Sequence, residues 1–196
     1  KAYCYFKDID GRIIDEFTIT SFLGTYPDNT DLIDVDMSGR DLTGNNFSNK
    51  VILDTNLSNA KLIGADLSNA VLIGTTLTGA DLTDANLAGV SLAYKDLTGT
   101  ILTGADLTGA VLPSGYLSGK NFQGTIFNGV DLSGKDLSNS DFSYAYFAGA
   151  NLENTNLTGA DFVDVDLTKI KNKSLAGADL SGTSFAYSNL SDVSLA

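Results

Sequence analysis

Large apolar side chains recur at every fifth residue along most of this chain. From Leu32 to Leu167 each fifth position holds Leu, Ile, Met or Phe, without an exception. An α-helix returns to one face every 3.6 residues and a strand every second residue, so neither element produces this period. The pattern therefore predicts a repeat architecture in which each group of five residues contributes one large side chain to a common core.

The residues around each central apolar residue follow a fixed order. Residues 65–69 read Ala-Asp-Leu-Ser-Asn and residues 105–109 read Ala-Asp-Leu-Thr-Gly. The shared order is a small residue, Asp or Asn, the central residue, Ser or Thr, then Gly or Asn. This order resembles the pentapeptide-repeat family over most of the chain. The resemblance implies an all-β fold, a right-handed quadrilateral β-helix with four pentapeptides in each coil.

Unusual side chains also recur at a spacing of twenty residues, which is the length expected for one coil. Phe122, Phe142 and Phe162 form one such series, and Phe127 and Phe147 form another. Residues twenty apart are expected to lie above one another at the strand separation of about 4.8 Å. About eight coils would then form a single rod about 40 Å long.

Three segments are predicted. Residues 1–26 form a β-hairpin with a type I′ turn at Asp10-Gly11, which caps the open end of the first coil. Residues 27–170 form the repeat solenoid. Residues 171–196 form a short loop, produced by three extra residues around Lys171, Asn172 and Lys173, and a final coil of the same solenoid. The first residue is Lys rather than Met, which favours a processed chain or a fragment. The small number of Lys and Arg residues slightly favours an extracytoplasmic location, and the compartment stays open.

The position two residues before each central residue also faces the narrow interior, and small residues predominate there. Six positions of this type carry longer side chains: Arg40, Asn45, Lys50, Lys95, Lys120 and Lys135. A buried, unpaired ammonium group would cost several kcal/mol. We therefore expect these side chains to bend outward past the corner and keep their charges in water.

The composition argues against an enzyme. The chain has no His, and its one Cys is Cys4. The usual general base, the commonest zinc ligand and an internal disulfide are therefore missing. Asp161, Asp164 and Asp166 cluster but lack the ligand-bearing loop of a calcium site. No cofactor or metal site is predicted, and without a run of eighteen apolar residues no membrane span is predicted either.

One face of the predicted solenoid carries aliphatic residues at outward positions. Such a patch would be of a size that monomers hide against partners. Strand propensity or covering by the N-terminal hairpin would also explain it. We predict a non-catalytic structural or protein-interaction solenoid, self-associating laterally through this face, end to end through its C-terminal edge as several family members do, or both. The proposed contact residues are Ile33, Val51, Leu53, Val71, Ile73 and Val111, with Pro113 beside them.

The charge of the chain supports an alternative function. With 24 acidic and 12 basic residues the net charge is −12, which argues against direct binding of nucleic acid. Quinolone-resistance members of the family that this chain resembles are acidic rods thought to imitate DNA and bind DNA gyrase. The resemblance therefore allows a DNA mimic that binds a type II topoisomerase, although a solubilising surface explains the charge equally well. The acidic face would consist of Asp41, Asp81, Asp84, Asp141, Asp161 and Asp164.

Overall fold

The structure is a computed structural model that describes the strands β1 (Tyr3–Lys7) and β2 (Ile13–Thr18) and residues 32–195. β1 and β2 pair antiparallel, with Tyr3 opposite Thr18. The predicted turn at residues 10 and 11 lies outside the described residues. That this hairpin caps the first coil stays a prediction.

Three short strands begin a parallel sheet along one side of the repeat region. β3 (Leu32–Ile33), β4 (Val51–Leu53) and β5 (Val71–Ile73) pair in the order β3-β4-β5. Each residue pairs with the residue twenty positions later, as Leu32 does with Ile52. Isolated parallel pairs with the same offset continue the pattern to Asp141 and Asp161. The chain therefore winds as stacked parallel coils of twenty residues, and the predicted stacking is confirmed.

Most corners of the coils are β-turns built by the polar residues of one pentapeptide. In residues 36–40 the N–H of Arg40 donates to the carbonyl oxygen of Met37 over 3.1 Å. Gly39 has a φ of 64°, which glycine adopts without strain, as a type II turn requires. Asp36 Oδ1 accepts the N–H of Ser38 over 3.0 Å and closes an Asx turn. The repeat therefore specifies its corners locally.

The core is one continuous column of side chains along the axis of the coils. All the central residues from Leu32 to Leu167 are buried, and so are most of the small residues two positions before them. The ring centroid of Phe142 lies 5.2 Å from that of Phe122 and 4.9 Å from that of Phe162. Phe127 stacks on Phe147 at 5.1 Å. The two predicted phenylalanine series are thus confirmed.

Hydroxyl groups at the small inward positions join successive coils. Thr125 Oγ1 donates to the carbonyl oxygen of Leu102 over 2.8 Å. The same oxygen accepts the turn N–H of Ala105 over 3.1 Å. Because a carbonyl oxygen has two lone pairs, the hydroxyl completes its hydrogen bonding without displacing the turn. Buried Thr and Ser residues at these positions are therefore satisfied.

Three lysines correct the expectation of outward, solvated side chains. Lys95 Nζ donates to the carbonyl oxygen of Thr75 over 2.8 Å. Lys120 Nζ donates to the carbonyl oxygen of Leu97 over 2.7 Å, and Lys135 Nζ donates to the carbonyl oxygen of Leu112 over 3.1 Å. The outward prediction is wrong for these three because carbonyl oxygens of the preceding coil lie within their reach and accept the ammonium protons. The remaining three long side chains at such positions are partly exposed: Arg40, Asn45 and Lys50.

The three extra residues form a single 3₁₀ turn, Lys171–Lys173, in which Asn172 has a φ of 56°. Across this turn the pairing offset becomes 23 residues, as between Asn156 and Asp179. It returns to twenty between Ser174 and Ser194. The coil therefore accommodates the insertion at one corner without losing its stacking.

Side chains at central positions become more exposed toward residue 195. Leu175 is buried, whereas Leu180, Phe185 and Leu190 are partly exposed and Leu195 is exposed.

Among residues 32–195 and the two N-terminal strands, no helix has the length and apolar character needed to cross a membrane.

Candidate protein-interaction surfaces

The predicted apolar residues lie on the sheet formed by β3, β4 and β5 and on its continuation. Side chains on either side of each central residue point outward, because neighbouring residues of a strand face opposite sides. Ile73 is 60% exposed and Val111 is 55% exposed, and Val71 is exposed as well. Ile33, Val51 and Leu53 are partly exposed. We call these six residues the apolar face. Pro113, which was expected beside them, is buried.

A cleft interrupts the apolar face between β5 and Val111. The intervening coil carries only Ser91 and Ala93 at the outward positions. The cleft has a volume of about 390 Å³ and is lined by these residues together with Val71, Ile73 and Tyr94. Tyr94 is 99% exposed at its rim. The face is therefore two aliphatic ridges with a depression between them.

The cleft coincides with a gap in the pairing of the coils. Ser91 pairs with Val111 in the following coil. Within residues 32–195, Ser91 has no such pair with Val71 in the preceding coil, although β5 pairs with β4 along its whole length. The backbone of this coil is therefore joined more closely to one neighbour than to the other. This opening leaves apolar side chains accessible from the side.

The predicted acidic residues share one face but do not form an unbroken row. Lys61 lies between Asp41 and Asp81 and pairs with both. Ile101 pairs with Asp81 on the next coil and is 45% exposed. Basic and apolar side chains thus divide the acidic positions. Asp84 and Asp164 lie at the corner beside this face, each with a φ of 56°.

Asp141 and Asp161 are adjacent on this face and form a parallel pair. Burial raises the pKa of the Asp141 carboxyl, but hydrogen bonds from Ser143 and Gln123 outweigh burial and hold the pKa below its usual value. Asp161 Oδ1 is buried and has no hydrogen-bond partner among the described residues. Among all the residues that the structure describes, no group of three or more His, Cys, Asp or Glu residues could hold a metal ion.

A second cleft lies around the corner from the acidic face, at residues that the sequence pattern does not single out as a site. Tyr144 and Tyr146 are 57% and 60% exposed. With Asp164, Asp166 and Lys169 they line a cleft of about 410 Å³. The available signal was Tyr144 itself, which occupies a corner position where Gly, Asn or Asp is usual. We call these five residues the tyrosine cleft.

Comparison with family models identifies the repeats. The model for pentapeptide repeats matches in eight copies, over residues 54–89, 80–119, 114–143, 136–171 and 172–196. This match covers well over half of the sequence. The chain belongs to the pentapeptide-repeat family. Membership implies a right-handed β-helix, which agrees with the parallel coils described above.

Several solved structures are similar to this pentapeptide-repeat protein. A trypsin-treated form of QnrB1, a plasmid-mediated fluoroquinolone resistance protein, is 21% identical, with 78% of this chain and 89% of that chain covered and a TM-score of 0.44. HetL from the cyanobacterium Nostoc, involved in heterocyst differentiation regulation, is 29% identical, with 81% of this chain and 84% of that chain covered and a TM-score of 0.34. A thylakoid-lumen protein from Arabidopsis thaliana is 34% identical, with 53% and 65% covered and a TM-score of 0.22.

Comparison of the pentapeptide-repeat protein with curated proteins gave no match. Members of the family are generally non-enzymatic repeat proteins, and the family match indicates no catalytic family. The exposed surfaces of the coils are therefore the candidate functional features of this protein.

Proposed function

We propose that this pentapeptide-repeat protein is a non-catalytic structural or interaction module that self-associates through its apolar face. The observation that carries the proposal is the exposure of Val71, Ile73 and Val111 on one side of the coils. A group of aliphatic side chains covering a few hundred Å² is of the size that proteins bury against partners. A second copy of the chain is the proposed occupant, because in a two-fold contact both partners present the same ridges and depression, and a ridge of each copy can enter the depression of the other.

The proposed rod has a quadrilateral cross-section and about eight coils. Four central residues fall within each twenty-residue offset, which supports four sides. At the strand separation of about 4.8 Å, such a rod is about 40 Å long. Its sides run parallel to the axis of the coils, so two rods can pack lengthwise.

Light scattering across a wide concentration range tests the proposal. We expect the wild-type chain to form dimers or larger assemblies and Val71→Asp to remain monomeric. Placing a carboxylate on the apolar face would require burying an unpaired charge on association. Ile101→Asp is the matched control, because Ile101 is similarly exposed on a different face, and it should associate like the wild type. A wild-type chain that stays monomeric at all concentrations would contradict self-association.

Self-association through the last coil is a second mode, supported by the exposure of Leu195. Leu195→Asp would dissociate an end-to-end dimer and leave a lateral one intact. Val71→Asp would have the opposite effect, so the two variants together distinguish the two modes.

A DNA mimic that binds a type II topoisomerase is the second candidate function. The net charge of −12 favours it, because acidic surfaces attract proteins that bind DNA. Lys61 and Ile101 interrupt the acidic row and weaken the imitation of evenly spaced phosphates. Binding to gyrase would support this candidate if it weakens as the salt concentration rises. It should also be weakened by Asp81→Lys combined with Asp141→Lys and unaffected by Val71→Asp. Gyrase binding that is absent at low salt would exclude it.

A further inference from the structure

We propose that the tyrosine cleft binds an arginine side chain of a partner protein. The cleft is separate from the apolar face and shares only Asp164 with the acidic face. This inference names a partner class that the proposed function leaves open, and it depends on neither self-association nor topoisomerase binding.

The first observation is the pair of exposed tyrosine rings beside a cleft. Tyr144 lies at the corner and Tyr146 lies two residues later on the adjoining face, and more than half of each side chain is exposed. The floor between them includes Ala145, Phe147 and Ala148. A planar cation gains by lying over an aromatic ring, and arginine does so more often than lysine.

The second observation is a gap in the inter-coil hydrogen bonds at this cleft. One pentapeptide earlier in the same coils, the N–H of Phe142 donates to the carbonyl oxygen of Asp161 over 2.7 Å, and the N–H of Asp161 donates to the carbonyl oxygen of Ser140 over 2.9 Å. Within residues 32–195 the equivalent bonds between Phe147 and Asp166, and between Asp166 and Ala145, are absent. The carbonyl oxygens of Ala145 and Asp166 therefore remain as acceptors for a ligand with several N–H groups. A guanidinium group carries five N–H donors.

The third observation is the negative charge on one wall. Asp164 and Asp166 come from the coil that follows the two tyrosines. Asp166 Oδ1 accepts hydrogen bonds from the N–H and Oγ1 of Thr168, over 2.9 and 2.6 Å. These bonds hold the pKa of the Asp166 carboxyl below its usual value, so the carboxylate is ionised near neutral pH. Two carboxylates beside aromatic faces complement a guanidinium ion, and the net charge of −12 attracts cationic partners over a longer range.

Lys169 lies on the same wall and is the charge with which an incoming arginine competes. Its ammonium group lowers the pKa of Asp166 to a small extent, so it lies close enough to interact with the carboxylate. Removing this ammonium group should therefore strengthen binding of a cation. A role of the cleft in binding anions would give the opposite result.

Tyr144 also permits a test that separates binding from folding. Its φ is 64°, a conformation that bulky residues rarely adopt and that glycine adopts freely. Gly124 occupies the equivalent corner one coil earlier with a φ of 67°. Tyr144→Gly should therefore fold at least as stably as the wild type while losing one wall of the cleft.

Protein-detected NMR titration with the peptide acetyl-Gly-Gly-Arg-Gly-Gly-amide tests the proposal. We expect shifts confined to residues 144–148 and 164–169, and weaker binding of the same peptide with lysine in place of arginine. Tyr144→Gly and the double variant Asp164→Asn with Asp166→Asn should each weaken binding about tenfold. Lys169→Gln should strengthen it.

The matched control is Asp84→Asn combined with Asp106→Asn. Asp84 occupies the same kind of corner position as Asp164, and Asp106 precedes its central residue as Asp166 does. The control removes the same charge away from the tyrosines and should leave the affinity unchanged. The proposal would be overturned by equal losses in both double variants, by equal binding of the lysine peptide, or by shifts elsewhere in the chain. Light scattering of the same samples reports separately on self-association, so failure of one proposal is distinguishable from failure of the other.

Discussion

Lys120 Nζ lies 2.7 Å from the carbonyl oxygen of Leu97, in the place that hydroxyl groups occupy directly above and below it in the same column. Thr100 Oγ1 donates to the carbonyl oxygen of Leu77, and Ser140 Oγ donates to the carbonyl oxygen of Leu117. Like Lys120, each donates to the residue 23 positions earlier. The lysine ammonium therefore takes over a coil-joining role of the repeat. It also donates to the carbonyl oxygen of Thr100 over 3.1 Å.

Replacement of Lys120 should depend on whether the new side chain can donate. Lys120→Thr supplies a hydroxyl to the carbonyl oxygen of Leu97, as Thr100 does one coil earlier. Lys120→Met keeps an unbranched apolar stem but donates nothing. We expect the methionine variant to be less stable than the threonine variant by about 1 kcal/mol, the usual net value of a hydrogen bond. Urea unfolding of the two variants measures the difference, and equal stabilities would show that the donated bond contributes nothing.

The stability contributed by Lys120 should rise with pH. Burial lowers the pKa of its ammonium group, with Asp96 partly opposing this effect. The folded state then releases the proton at a lower pH than the unfolded state does, so stability increases between the folded pKa and about 10.4, the value in the unfolded chain. The free energy of unfolding of the wild type relative to Lys120→Thr should therefore increase as the pH is raised from 7 to 10. A difference that stays constant or falls would contradict the assigned cause.

The five-residue period predicted a repeat architecture, and the resemblance to the pentapeptide-repeat family together with the twenty-residue recurrence predicted the stacked coils. The aromatic columns, such as Phe122 above Phe142, followed from a twenty-residue offset alone. The lysine contacts could not be predicted in this way, because they depend on carbonyl oxygens of the preceding coil that lie 20 to 23 residues away. The tyrosine cleft was missed for a related reason. Whether the coils at Tyr146 and Asp166 form their hydrogen bonds depends on small displacements of packed coils, which no local pattern encodes.

Phe142 should be among the most costly side chains to truncate. Its ring contacts those of Phe122, Phe127, Phe147 and Phe162, with centroid separations between 4.9 and 5.7 Å. Removing a buried phenylalanine ring typically costs 3–5 kcal/mol, and we expect about 4 kcal/mol for Phe142→Ala in urea unfolding. Phe185→Ala is the control, because Phe185 stacks on Phe162 at 5.4 Å but is partly exposed. Equal losses at the two positions would show that the centre of the column is no better packed than its later part.

Two glycines with nearly the same backbone conformation should respond differently to alanine. Gly74 and Gly109 have φ values of 66° and 64°. A Cβ added at Gly74 would collide with the Asp54 side chain and lie 3.2 Å from its Cα, whereas one at Gly109 would meet nothing within 4 Å. Gly109→Ala should cost about 1 kcal/mol from the positive φ alone, and Gly74→Ala should cost more. Thermal unfolding measures both losses of stability. Equal losses would mean that Asp54 moves away from the added Cβ without cost.

The stability of the coils should decrease in acid because Asx turns stabilise ionised carboxylates. Hydrogen bonds from the hydroxyl and N–H of Thr43 hold the pKa of Asp41 below its usual value, with a smaller contribution from Lys61. A lowered folded pKa gives stability that is present above the unfolded pKa of about 3.9 and is lost as the pH falls through the folded pKa. Asp41→Asn keeps the accepting oxygen but cannot titrate. The difference in the free energy of unfolding between this variant and the wild type should therefore shrink as the pH falls from about 5 to about 2, a range that brackets the unfolded pKa. Thr43→Val removes the hydroxyl donor and should flatten the same acid dependence, measured as the melting temperature against pH. If Thr43→Val leaves the acid dependence unchanged, the turn hydrogen bonds are not its cause.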